Sequence, residues 1–198
     1  SPYGFAVKTK SYAAYNETKW LNFYFEGLDY IIDLNLGGFP FIEQYASMIL
    51  KKMLTPFQPG YVDLMSPAGI GIGAVVYNYD GDVYASDEAR MLAEMGDTRF
   101  RIGDVHANTY EEIFLGDALL DPLEQSFAAS APMCSWCAFE PWCGSDPVFH
   151  HATQGDFVGK KPLSAFCGRN MAIFKGLLER LNDRPHVREV FERWANMG

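Results

Sequence analysis

Met133-Cys134-Ser135-Trp136-Cys137-Ala138-Phe139-Glu140-Pro141-Trp142-Cys143-Gly144 holds three of the chain's four cysteines, and the fourth, Cys167, follows after a gap, giving Cys-x2-Cys-x5-Cys-x23-Cys. A Cys-x2-Cys turn aims two sulfurs at one ion, and a distal pair folded back onto it completes four ligands. With no secretion signal in view, this clustering favours thiolate ligation over disulfides. A structural zinc site suits the count, although zinc ribbons usually pair two tight Cys-x2-Cys units. An iron-sulfur cluster accepts irregular spacing more readily, because each sulfur binds a different iron. Ligand type leaves both metals open. His150 and His151 follow the segment, but adjacent side chains diverge and four cysteines need neither, so both are read as surface or supporting groups.

Around this segment lies an ordinary globular composition. The chain has 198 residues, 48% hydrophobic and 21% charged, with 16 Lys+Arg against 25 Asp+Glu. At this length about 70% of the unfolded chain's surface is buried, so the core needs no disulfides. The net charge of −9, with no cationic run beyond the pairs Lys51-Lys52 and Lys160-Lys161, excludes the clustered cations that nucleic-acid binding uses. A peptide or small molecule is the expected partner. No apolar run reaches the ~20 residues of a membrane span, and the longest, around Gly69 to Tyr77, is rich in glycine. The first residues show neither the basic stretch nor the apolar core of a signal peptide, so the expected location is cytoplasmic. Ser1-Pro2-Tyr3-Gly4-Phe5-Ala6-Val7 reads as the end of a strand arriving from upstream, so the expectation is a fragment of a longer polypeptide.

The periodicity predicts helices at both ends. Trp20, Phe23, Tyr24, Leu28, Ile31, Ile32 and Leu34 recur at three- and four-residue steps between Asn16 and Leu36, and Gly37-Gly38 supplies a stop. A second helix is expected from about Pro40 to Leu54, ended by Pro56, with Ile42, Tyr45, Ala46, Ile49, Leu50 and Met53 on its buried face. Ile72 to Tyr77 and Asp82 to Ala85 read as short strands joined by Asn78-Tyr79-Asp80-Gly81. Ser86 caps a helix through Met95, and Phe100-Arg101-Ile102 suits a further strand. Thr109 and Glu112 have capping-box spacing. Ser164 opens a helix bearing Met171, Ile173, Phe174, Leu177, Leu178 and Leu181, and Asp183 with Pro185 opens a last one to about Asn196. Gly69-Ile70-Gly71-Ile72-Gly73 lacks phosphate-loop spacing and reads as a place of close backbone packing. Asp80, Asp82, Asp87, Glu88 and Arg90 read as a solvated face rather than a charged lip for a basic peptide.

The cysteine segment together with Cys167 resembles the C-terminal SPASM domain of radical S-adenosylmethionine peptide maturases. That family's pattern runs Cys, a gap, Gly-x4-Cys, a gap, Cys-x2-Cys-x5-Cys-x3-Cys, a gap and a last Cys, and implies two auxiliary 4Fe-4S clusters. Here Gly81 takes the glycine, Ser86 stands at the cysteine of Gly-x4-Cys, Ser66 stands near the preceding one, and Pro147 replaces the cysteine of the x3 step. Cys134, Cys137, Cys143 and Cys167 match the remaining positions. In the family the first auxiliary cluster uses the positions lost here and the second uses the positions kept. The resemblance therefore implies loss of one whole cluster and retention of one 4Fe-4S cluster on Cys134, Cys137, Cys143 and Cys167.

Tyr61-Val62-Asp63-Leu64, Tyr77-Asn78-Tyr79-Asp80-Gly81, Asp87-Glu88-Ala89-Arg90-Met91-Leu92 and Cys143-Gly144-Ser145-Asp146-Pro147 look closest to the maturases of His-Xaa-Ser repeat systems. The resemblance implies an N-terminal radical S-adenosylmethionine barrel holding a catalytic 4Fe-4S cluster through Cys-x3-Cys-x2-Cys, and a ribosomally made precursor peptide as substrate. No Cys-x3-Cys-x2-Cys occurs in these residues, so this stretch alone is not expected to start a radical reaction. In sulfatase-maturing relatives an acidic residue at the position of Asp87 serves as a base; the simpler reading is a helix N-terminal residue favoured by the macrodipole. The expected architecture is α+β, with helices at both ends around a small, hairpin-containing domain whose four cysteines hold a metal cluster. Residues 1–60 would be the tail of the barrel with bridging helices, and 61–198 the SPASM-like domain. The rival expectation is a non-catalytic zinc module that binds a protein partner.

Overall fold

The computed structural model of the chain describes residues 3–13 and 15–197. In chain order its helices are α1 (Lys10–Ala13), α2 (Glu17–Leu36), α3 (Gln44–Leu54), α4 (Asp87–Ala93), α5 (Tyr110–Phe114), α6 (Asp117–Gln125), α7 (Pro147–Gln154), α8 (Ala165–Asp183) and α9 (Val187–Met197). Among the described residues three short strands, β1 (Val76–Tyr77), β2 (Asp82–Tyr84) and β3 (Arg101–Asp104), form one antiparallel sheet in the order β1-β2-β3. The class is α+β.

Two compact units interleave along the chain: Ser1–Tyr15 with Val62–Ser164, and Asn16–Tyr61 with Ala165–Gly198. The chain passes from one unit to the other at Tyr15/Asn16, Tyr61/Val62 and Ser164/Ala165, so the final helices join the early ones rather than the cysteine-bearing block. The apolar faces explain that return. In the helical unit, α3 packs on α9 and α2 packs on α8 and α9. Ala46, Ile49 and Leu50 of α3 and Val187, Val190, Phe191 and Trp194 of α9 are buried, and the Ser47 hydroxyl donates to the Trp194 carbonyl at 2.9 Å. A Cβ on Gly176 would meet the Phe25 ring at 2.4 Å, so glycine sets how closely α8 approaches α2. Arg180 lies over that same ring and pairs with Asp29 at 2.6 Å, while Arg184 reaches Asp29 and Asp33.

Helix α2 begins where expected, because the Asn16 side chain accepts from the Lys19 N–H at 2.9 Å. Its buried positions are Leu28, Ile32 and Asn35, and Phe23 faces solvent at 74% exposure, so the stripe is narrower than the apolar count suggests. Helix α3 starts four residues later than expected. Glu43 caps it, its carboxylate accepting from Tyr45 and Ala46, and Pro40 to Ile42 stay outside the helix.

In the sheet unit, the expected strand from Ile72 shrinks to two residues. The N–H groups of Ile72, Gly73 and Ala74 all turn back to the Gly69 carbonyl, and Gly71 adopts φ +66° against Leu119. A Cβ on Gly69 would lie 2.7 Å from the Val62 Cα, which is the close backbone packing read from the alternating glycines. The hairpin turn forms with Gly81 at φ +98° and its N–H donating to Asn78. Beneath the sheet, Val83, Phe100, Ile102, Ile113, Leu119 and Leu123 make the core, with the Thr109 capping box opening α5. The expected entering strand is corrected: Gly4 at φ +69° turns the chain into a 3-10 turn over Phe5–Lys8, and Ser1 and Pro2 lie outside the described residues.

Candidate metal centre

The cysteine segment is built from two tight turns. A 3-10 turn over Cys134–Trp136 brings the Cys137 N–H to the Cys134 carbonyl at 2.9 Å. A second, over Glu140–Trp142 with Pro141 in its first turn, brings the Cys143 N–H to Phe139 at 3.0 Å and Glu140 at 3.1 Å. Each of the three cysteines thus stands at the start or end of a turn whose backbone is hydrogen-bonded. Gly144 then passes hard against the Val62–Leu64 turn: a Cβ there would lie 2.2 Å from the Asp63 carbonyl oxygen and 2.6 Å from the Leu64 Cα. The Ser145 N–H donates to the Met65 carbonyl at 3.1 Å, anchoring Cys143 to that turn.

None of the four cysteines is in a disulfide, and all are half-buried. Burial pushes the Cys134 thiol up from its ordinary value, Lys161 opposes this, and the neighbouring Cys137 adds to it. Cys143 Sγ lies 3.4 Å from the Gly144 carbonyl oxygen. Cys167 sits in the first turn of α8, in the helical unit, its sulfur 3.8 Å from the Met171 sulfur. Among the described residues no three His, Cys, Asp or Glu side chains are gathered as a metal-holding group. By chemistry alone, four thiols outside any disulfide, two of them on one turn, suit zinc or an iron-sulfur cluster.

The positions where the resembled family has further cysteines carry hydrogen-bonding duties. Ser66 Oγ accepts from the Ala128 N–H at 2.8 Å. Ser86 Oγ accepts from the Ala89 N–H at 3.1 Å and caps α4 from a site 2% exposed. Pro147 is the first residue of α7, where the missing N–H costs nothing. Ser86→Ala should lower stability by about 1 kcal/mol, measured by urea unfolding, because the cap is lost; an unchanged midpoint would remove that role. Asp87 stands in the first turn of α4, its side chain 58% exposed and 3.3 Å from Arg90. That position is the one the macrodipole favours for a carboxylate.

The two histidines diverge as expected, but His150 is buried rather than superficial. Its Nδ1 lies 2.7 Å from the Asp146 carbonyl oxygen and must donate to it, so Nε2, 2.9 Å away, accepts from the Ser164 hydroxyl. Burial pushes its pKa down to about 4, so the ring is neutral. His151 Nε2 pairs with Asp97 at 2.8 Å and packs edge-on to Phe100.

Sequence reading passed over Asp146. Its Oδ1 accepts from the Phe149 N–H at 2.8 Å, capping α7, and its Oδ2 accepts from the Tyr3 hydroxyl at 3.2 Å. Burial pushes its pKa up to about 7, with Asp63 and Glu88 adding to the rise. The signal was present as Asp146-Pro147 followed by Gly155, a cap, a first-turn proline and a left-handed C-terminal glycine at φ +70°.

No family model, no curated protein and no solved structure matches the chain.

Proposed function

We propose that this chain is the auxiliary-cluster domain of a radical S-adenosylmethionine enzyme that modifies a ribosomally made precursor peptide in the cytoplasm, with Cys134, Cys137, Cys143 and Cys167 as ligands of one 4Fe-4S cluster. The observation that carries the reading is selective: the four positions of one ligand set keep cysteine, while those of the other set hold Ser66, Ser86 and Pro147. Two of these replacements use their hydroxyls to accept backbone N–H groups, and the third opens a helix, so each lost position has a local structural role.

Such a cluster supplies one-electron transfer when bound. A fully thiolate-ligated cluster has no open iron, so this reading gives the domain an electron-transfer and channel-shaping role, with no substrate ligation. The chain's own contributions are steric and electrostatic. The two 3-10 turns hold Cys134, Cys137 and Cys143, Gly144 clamps that segment to the Val62–Leu64 turn, and Lys161 favours the Cys134 thiolate. The catalytic cluster and S-adenosylmethionine belong to a partner barrel in this reading, and the precursor peptide is the substrate shared with it.

Cys137→Ala is expected to abolish the visible charge-transfer absorbance of anaerobically reconstituted protein and to reduce bound iron severalfold. Unchanged iron and absorbance would remove Cys137 from the ligand set.

A further inference from the structure

We infer that the groove bordered by Pro132, Met133, Val158, Lys160, Lys161 and Leu163 receives an extended peptide segment in which apolar and acidic side chains alternate. The inference rests on the reading above, that the chain handles a peptide, and it names where and by what chemistry.

The groove encloses about 950 Å³ within the sheet unit, between the residues that lead into Cys134 and the loop that follows α7. Its loop is held by its own hydrogen bonds. Gln154 Oε1 accepts from the Lys160 N–H at 2.6 Å, Asp156 Oδ1 accepts from Val158 and Gly159 at 2.8 and 2.7 Å, and the Lys161 ammonium donates to the Val158 carbonyl. Gly159 rests on the buried His150 ring, where a Cβ would come within 2.2 Å of Cδ2. The wall therefore exists before any ligand arrives, which lowers the ordering cost of binding.

Two features single out this surface. Leu163 is 76% exposed and Met133 57% exposed, and Met133 is the one non-glycine among the described residues held at a left-handed φ, +68°. Backbone strain kept at an exposed apolar residue points to use rather than to packing. The second feature is charge. On a chain of net −9, the groove sets two lysines, Lys160 and Lys161, against one carboxylate, Asp156, which is held by backbone N–H groups and faces Lys161 alone of the two lysines, so the groove keeps a net positive charge. An acidic ligand complements the positive charge left over, chiefly at the exposed Lys160. Side chains of an extended segment point alternately to opposite sides, so alternate apolar and acidic residues meet the apolar wall and the lysines together. Since Met133 directly precedes Cys134, a peptide lying here ends beside the proposed thiolate centre.

The test is fluorescence anisotropy of the full chain with two fluorescein-labelled peptides of about eight residues, roughly 26 Å extended, one alternating Leu and Glu and the other Leu and Lys. Saturable binding of the Leu/Glu peptide alone is expected, with Lys160→Glu and Leu163→Asp each weakening it about tenfold or more. Both side chains are exposed, so the variants should keep the parent's circular dichroism spectrum. No saturable binding, equal binding of both peptides, or affinity unchanged in both variants would overturn the groove. The titration needs no metal. Its failure would leave the cluster reading standing, and absence of iron with intact peptide binding would leave the groove standing.

Discussion

Replacing Gly144 by alanine should cost about 3 kcal/mol or more, at the upper end of what overpacking does, because the obstacle is backbone on both sides. A Cβ at that position would sit 2.2 Å from the Asp63 carbonyl oxygen and 2.7 Å from the Asp63 carbonyl carbon, so no side-chain rotation relieves it. Either the Val62–Leu64 turn or the Cys143 segment must move. Urea unfolding of the variant should show the loss directly, and anaerobic reconstitution should show reduced metal binding as Cys143 shifts. Gly27 gives the control: it lies inside α2 with nothing within 4 Å of its would-be Cβ. Gly27→Ala should therefore stabilise by about 0.5–1 kcal/mol through helix propensity. Equal midpoints for the two alanine variants would refute the close approach at Gly144.

Stability should also fall as pH rises from about 4 to about 7, on account of Asp146. Its carboxyl is nearly ordinary in the unfolded chain and is raised to about 7 in the folded one, chiefly by burial. Between pH ~4 and ~7 the folded state therefore binds more protons than the unfolded state, and the slope of stability against pH is negative for this group. The contribution is fully present below the unfolded value and lost as pH climbs through the folded one. The loss amounts to a few kcal/mol, on the scale of about 1.4 kcal/mol for each unit of displacement. Asp146→Asn keeps an oxygen to accept from the Phe149 N–H and removes the charge. The difference in unfolding free energy between the parent and this variant should shift by most of that amount between pH 4 and pH 8, in favour of the variant at the higher pH. Parallel profiles would mean that the buried carboxyl does not titrate in that range.

These two sites mark the boundary of what the sequence discloses. Asn16, Ser86 and Thr109 were legible as helix starts because a cap is a local device, completed within three residues. Glu43 was not, since glutamate is an uncommon cap and Pro40 looked like a better first residue. The strand expected from Ile72 failed for a local reason as well: alternating glycines let the backbone turn at Gly71, and the apolar residues between them carry β propensity without a ladder. Trp20 to Leu34 gave a helix but not its face, because the direction of burial is set by α8 and α9, about 130 residues or more downstream.

The candidate site divides in the same way. The tight turn around Cys134 and Cys137 follows from the Cys-x2-Cys spacing. The clamp at Gly144 and the buried Asp146 depend on residues 63 to 65 and on Tyr3, which no local pattern links to residues 144 to 146. The groove lysines were visible only as one of two cationic pairs. Nothing in the sequence distinguished Lys160-Lys161 from Lys51-Lys52, the latter lying in the last turn of α3, where the helix dipole favours cations.

The most direct test of the central claim is the iron, acid-labile sulfide and zinc content of the chain, purified and reconstituted without oxygen, with its visible spectrum. About four irons and four sulfides per chain, lost together in Cys137→Ala, is the expected result for one auxiliary cluster on Cys134, Cys137, Cys143 and Cys167. One tightly held zinc that iron does not displace under those conditions would contradict it, and would make the chain a structural module that binds a protein partner.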